Sequence, residues 1–150
     1  MVDKDLIEDE IVVNCKSIDA NIQRLEQFIS NIDPLKLNLV FHKDNKEYYF
    51  NLSSVIFFET STNAVYAHTA KEVYEVKYRL YELEQILPQY FMRVSKSTII
   101  NINQIFSINK NITSSSLVEF YGTYKQVYVS RMYLKDLCET MKERRNYEKR

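Results

Sequence analysis

A single glycine, Gly122, in 150 residues is too few for the glycine-rich loops that cradle phosphate in nucleotide-binding folds. The two cysteines, Cys15 and Cys138, and the two histidines, His42 and His68, stand far apart, without the spacing a zinc site needs. Each thiol therefore reads as a small packed side chain. No apolar run exceeds four residues, and Val55-Ile56-Phe57-Phe58 falls far short of a bilayer span. The acidic N-terminus has no apolar core of the signal-peptide kind, so a cytoplasmic protein is expected. Also missing are paired carboxylates in an acid–base frame, a nucleophile elbow and a Cys/His pair. The expectation is a protein that is not an enzyme and uses no cofactor or metal.

What the chain has is apolar and aromatic mass. Apolar residues make up 45% of it, enough for a core, and aromatics 13%, as twelve tyrosines and eight phenylalanines. Such residues suit a pleated, half-buried sheet surface. Net charge is zero, but it is unevenly spread: residues 1–33 carry −5, residues 34–150 carry +5, and residues 85–135 alone carry +5. A basic back half is compatible with local nucleic-acid binding and equally with a solvated face.

Turn residues divide the chain into short pieces. Residues 10–15 read as a strand. A helix follows, capped by Ser17, striped with Ile18, Ile22, Leu25, Ile29 and Ile32 and closed by Pro34. The stripe packs on the domain's own sheet or forms the seam of a homodimer. Residues 37–41 and 48–52 flank a polar turn at 42–47. Strands are expected at 55–59, 64–69 and 72–77, with a small polar turn at 60–63. Leu80, Leu83, Ile86 and Leu87 mark a helix that Pro88 stops. Strands at 105–108, 117–120 and 124–129 precede a helix over 131–142 that begins after Ser130. There are no repeats and no βαβ alternation, so a β-rich antiparallel domain with peripheral helices is predicted.

Phe91-Met-Arg-Val-Ser-Lys-Ser-Thr-Ile-Ile-Asn101 is the most distinctive stretch. It reads as strand, with two cations and three hydroxyls set among apolar residues. Arg93, Lys96 and Ser97 offer a planar fork, a point charge and an adaptable hydroxyl, the groups that phosphates and base edges call for. A half-buried strand with a solvated basic face accounts for the same residues, and chemistry alone does not separate the two.

The order of motifs does. Val55-Ile-Phe-Phe-Glu59, Tyr78-Arg-Leu-Tyr-Glu-Leu-Glu84, Phe91-Met-Arg-Val-Ser-Lys-Ser97, Ile100-Asn101, Ile105 and Val129-Ser130-Arg131 follow one another as in a known family. Over residues 35–140 the chain resembles the LytTR-type DNA-binding domain of bacterial transcription regulators. The front strand and striped helix resemble the short front end of stand-alone members without a receiver domain. Residues 1–34 are then an acidic strand–helix extension, 35–142 the DNA-binding domain and 143–150 a charged tail.

The resemblance implies a mainly β (β-rich α+β) fold, an elongated antiparallel β–β–β sandwich with short helices. It also implies sequence-specific binding to double-stranded promoter DNA, often at direct-repeat sites, with strand-end loops entering the major groove. A small membrane-protein inhibitor is a further implied partner. Carried over by position, Thr62 and Asn63 lie in the first DNA-entering loop, Arg93, Ser95, Lys96 and Ser97 in the central contact segment, and Ser130 and Arg131 at the closing contact. Many members carry His or Asn inside the central segment where this chain has Ser95 and Lys96, and lysine discriminates less between bases. A protein-interaction module and an RNA-binding β domain are the competing classes, the latter through Tyr124 and Tyr128 as stacking groups.

Overall fold

The computed structural model describes residues 12–32 and 38–148. Two compact units divide it, residues 1–33 and 34–150.

In the first unit, helix α1 spans Ala20–Ile32. Its cap is Asp19 rather than Ser17: the Asp19 carboxylate accepts the Ile22 N–H at 2.9 Å and its carbonyl accepts the Gln23 N–H at 3.0 Å. The aspartate stands one residue before the first turn, where a side-chain oxygen reaches the orphan amides. The strand expected over 10–15 is corrected: residues 12–15 form none, and residues 10 and 11 lie outside the described part. Extended residues need a ladder partner to become a strand, and residues 12–15 have none.

The described residues of the second unit form ten strands in two antiparallel sheets. They are β1 (Phe41–Lys43), β2 (Lys46–Tyr48), β3 (Phe57–Ser61), β4 (Ala64–His68), β5 (Val73–Val76), β6 (Phe91–Arg93), β7 (Thr98–Asn101), β8 (Ile105–Asn109), β9 (Ser116–Phe120) and β10 (Gln126–Val129). Helix α2 (Leu80–Ile86) lies between β5 and β6, and α3 (Arg131–Glu148) follows β10. The seven-stranded sheet runs β2-β1-β5-β4-β3-β7-β6 and the three-stranded sheet β10-β9-β8.

Several boundaries differ from the sequence expectation. The first hairpin turns on two residues, Asp44 and Asn45, with φ of 52° and 61°. Asp and Asn tolerate the left-handed region well enough to close a two-residue loop, so a six-residue turn is not needed. Residues 91–101 are not one strand but a hairpin, β6–β7, bent at 94–97. The last helix runs on to Glu148, taking in charged residues expected to lie in a tail.

Register assigns each face of the large sheet. Pairings Phe58–Ala67, Val65–Val76 and Phe58–Ile99 place Phe58, Ala67, Val65, Val76 and Ile99 on one face. There they share a core with Leu80 and Leu83 of α2. Phe57 and Ile100, opposite each other, occupy the second face and join a core with Val118, Phe120, Val127, Val129 and Leu137. The centre of the large sheet is thus covered by α2 on one side and by the small sheet and α3 on the other. Double burial explains the unbroken apolar runs at 55–58 and 99–100.

Two polar ties lock the layers. Asn101, 1% exposed, donates from Nδ2 to the Val55 carbonyl at 2.9 Å and accepts the Asn103 N–H at 3.0 Å. Lys125, from the β9–β10 connection, donates to the carbonyls of Thr69 at 2.9 Å and Glu72 at 3.2 Å, beyond β4 in the large sheet. Its Nζ also lies 3.5 Å from His68 Nδ1, while His68 Nε2 lies 3.5 Å from a Glu59 carboxylate oxygen. A neutral imidazole serves both contacts, accepting at Nδ1 and donating at Nε2. Burial, with Lys125 as the second cause, lowers the His68 pKa to about 4.

His68 makes folding pH-dependent with a definite sign. The unfolded imidazole takes up a proton near its ordinary pKa of about 6.5, whereas the folded one resists until about 4. Stability is complete above the unfolded value and is lost as pH falls toward the folded one. Urea unfolding at pH 7 and pH 5 should differ by about 2 kcal/mol from this group, and His68→Gln should remove most of that difference. An unchanged pH dependence in the variant would contradict the assignment.

Candidate nucleic-acid interface

The eight residues singled out in the sequence lie on or directly beside three connections, and backbone hydrogen bonds tie these connections together. The Thr60 N–H donates to the Ser97 carbonyl at 2.8 Å, extending the β3–β7 ladder by one rung beyond Glu59–Thr98. The β3–β4 turn at Thr62-Asn63 therefore stands beside the β6–β7 turn at 94–97. The Val94 N–H donates to the Thr98 carbonyl at 3.0 Å, and the Val94 carbonyl accepts the Ser130 N–H at 2.9 Å. That second bond sets the first residue of α3, Arg131, against the same turn. Val94 itself is fully buried in the core beneath α3.

What the three connections present is polar and accessible. Thr62, Asn63, Lys96, Ser97 and Arg131 are exposed, and Ser95 and Ser130 partly so. Among the described residues, neither Lys96 nor Arg131 pairs with a carboxylate. The hydroxyls form a short chain, with Ser95 Oγ accepting the Ser97 N–H at 3.2 Å, lying 3.3 Å from Ser97 Oγ, which in turn is 3.4 Å from Thr98 Oγ1. Thr62 carries φ of 57°, unusual for a β-branched residue. Such a conformation costs on the order of 1–3 kcal/mol and is typically held where a backbone shape matters.

Arg93 is placed differently from the rest. Its register partner Ile99 puts it on the face covered by α2. Nη1 donates to the Glu84 carboxylate at 2.8 Å, Nε donates to the Ser95 carbonyl at 2.7 Å, and Nη2 donates to the Lys96 carbonyl. The fork is thus committed within the protein, bracing α2 against the turn that displays Lys96. Only a planar group with donors in a fixed geometry can meet a carboxylate and two carbonyls at once.

Sequence reasoning missed three residues. Glu84 is the partner that gives Arg93 its place. Lys77 and Arg79 lie just beyond Val76, whose partner Val65 starts next to the β3–β4 turn. They border a hollow of about 750 Å³ with Thr60 and Asn63. The signal available was a pair of cations flanking Tyr78 immediately before a helix. Among the described residues, no group of three or more His, Cys, Asp or Glu is placed to hold a metal ion. No helix among them is long and apolar enough to cross a membrane.

The chain is similar in sequence and fold to known proteins. The family model of the LytTr DNA-binding domain matches residues 45–142. A protein of Staphylococcus aureus strain COL, described as an uncharacterized HTH-type transcriptional regulator, is 33% identical over 135 residues, covering 89% of this chain and 90% of its own length. A protein of strain MRSA252 with the same description is 33% identical over 138 residues, covering 92% of this chain and 84% of its own. Among solved structures, the LytTr DNA-binding domain of a Bacillus cereus response regulator superposes with a TM-score of 0.62 at 25% identity, covering 67% of this chain and 95% of that one.

The internal bonds of Arg93 make its fork a brace for the 94–97 turn. Arg93→Lys keeps the charge and loses the fork, so the Val94 and Thr60 amides should exchange with solvent about ten-fold faster as the turn opens locally. Glu84→Gln should act in the same direction more weakly. Exchange unchanged in Arg93→Lys would show that the fork does not hold the turn.

Proposed function

This chain belongs to the LytTr DNA-binding domain family, and we propose that it regulates transcription by binding promoter DNA sequence-specifically through the edge where the β3–β4, β6–β7 and β10–α3 connections meet. One observation carries the reading. The Thr60–Ser97 and Ser130–Val94 backbone bonds gather three chain-distant polar segments at one place, and Lys96 and Arg131 are exposed there.

The division of labour follows from side-chain chemistry. The Thr62-Asn63 tip is narrow enough to enter a major groove, where the Asn63 amide can donate to and accept from an adenine edge. Arg131, free of internal partners among the described residues, can clamp guanine O6 and N7 with its fork. Lys96 is a point charge suited to phosphate, and the hydroxyls of Ser95, Ser97 and Ser130 suit phosphate oxygens that fix register. Arg93 acts from behind the surface by shaping the Lys96 turn. Lys77 and Arg79 extend the cationic edge past Asn63 toward a flanking phosphate. Direct-repeat sites fit a surface built from strand ends, because two copies can bind side by side without a two-fold interface.

Binding by titration against salt tests these roles. Loss of Lys96 in Lys96→Gln should weaken all duplexes alike and flatten the slope of log affinity against log salt by about one unit. Arg131→Ala should cost about 1–3 kcal/mol and relax preference at one position of a site selected from random duplexes. Unaltered affinity and preference in both variants would refute the assignment.

A further inference from the structure

A second cationic site lies away from the DNA edge. A hollow of about 500 Å³ opens between the later turns of α3, strand β8 and the turn at Ile102–Gln104. Its floor is apolar: Ile105 is buried, and Ile108 and Met141 pack against the core. Its rim carries Lys110, Lys142, Arg144 and Arg145, and among the described residues no carboxylate lines it. None of the four is ion-paired among the described residues. Arg144 reaches across the hollow and donates from Nη1 to Asn103 Oδ1.

Helix termini often collect cations, because the last carbonyls carry partial negative charge. That accounts for part of this cluster only. Lys110 comes from the β8–β9 connection, and Arg144 is held by Asn103 rather than by the helix end. Four like charges around apolar side chains combine mutual repulsion with wetted hydrophobic surface. One kind of ligand relieves both at once, an anionic head on an apolar body. A hollow of this size with an apolar floor and few, convergent polar groups is what small-molecule sites have in common.

We propose that this groove binds a small amphiphilic organic anion, an aromatic or alkyl carboxylate. Its head meets Lys110, Lys142 and Arg145, and its body lies over Ile105, Ile108 and Met141. The site is independent of the DNA surface. Arg144 is thirteen residues along α3 from Arg131, roughly 20 Å at the rise of an α-helix.

Cys138 lines the same hollow and reports on it. In full-length Cys15→Ser protein, modification of Cys138 by the dianionic aromatic disulfide dithiobis(nitrobenzoate) is compared with modification by neutral dithiodipyridine. A cationic, apolar groove should favour the anion, and the combined Lys110→Gln, Lys142→Gln and Arg145→Gln variant should lower the ratio of the two rates about ten-fold. Lys135→Gln, elsewhere on α3, should leave the ratio unchanged. Decanoate should saturably protect Cys138, and inorganic phosphate at equal concentration should not. A ratio unaffected by the triple substitution overturns the proposal, as does protection by phosphate equal to that by decanoate. So does a triple variant that loses duplex affinity in proportion to the rate ratio, which would make the groove a DNA backbone contact. If the triple variant fails to fold, saturable decanoate protection in the Cys15→Ser protein still decides.

Discussion

Val94 is the residue on which the proposed DNA-binding edge depends. Its side chain is fully buried in the core shared by the small sheet and α3. Its N–H closes the β6–β7 turn onto Thr98, and its carbonyl receives the Ser130 N–H at the start of α3. A fully buried valine makes a poor hinge, because moving it opens a cavity in a close-packed core. The turn that displays Lys96 and the helix start that displays Arg131 are therefore fixed relative to each other by hydrophobic packing. The ladder bond from Thr60 to Ser97 brings the Thr62-Asn63 tip into the same frame.

Four cations of this domain contrast in their placement. Arg93 and Lys125 are turned inward and joined to carbonyls. Arg93 ties α2 to the 94–97 turn, and Lys125 ties the small sheet to the large one. Burial pushes the Lys125 ammonium toward easier deprotonation, although Glu72 opposes the effect. Lys96 and Arg131 remain exposed. A count of charge over residues 85–135 mixes internal braces with exposed cations. A charge count is therefore no guide to whether the surface suits a polyanion.

Much of the architecture was legible in the sequence because its cues are local. Leu80, Leu83 and Pro88 mark α2 by period and stop. The apolar runs at 55–58 and 99–100 mark strands buried on both faces, and the fold class follows from many short strands set off by turns. The errors arose where the deciding partner is distant or the turn carries no punctuation. Ser95-Lys96-Ser97 contains no Gly, Pro or Asn, so the bend within 91–101 was invisible. Asp44-Asn45 closes a tighter hairpin than its polar neighbours suggest. Asp19 takes the cap from Ser17 because it lies one residue from the helix. The place of Arg93 hinges on Glu84, nine residues upstream, and that contact exists only once α2 has docked. Its bonds to Glu84 and to the Ser95 and Lys96 carbonyls therefore have no local cue in the sequence. The sequence singles out Thr62, Asn63, Lys96, Ser97, Ser130 and Arg131 as candidates one segment at a time. Their convergence was not legible, since it rests on two long-range backbone bonds.

The central claim is that three connections act as a single surface toward duplex DNA. Amide chemical-shift mapping during titration with a duplex enriched from a random pool tests it most directly. The account predicts that Thr62-Asn63, Ser95–Ser97 and Ser130-Arg131 shift together, with one affinity and in one exchange regime. Shifts confined to the outward residues of the small sheet, such as Tyr128, or limited to one of the three connections, would contradict it.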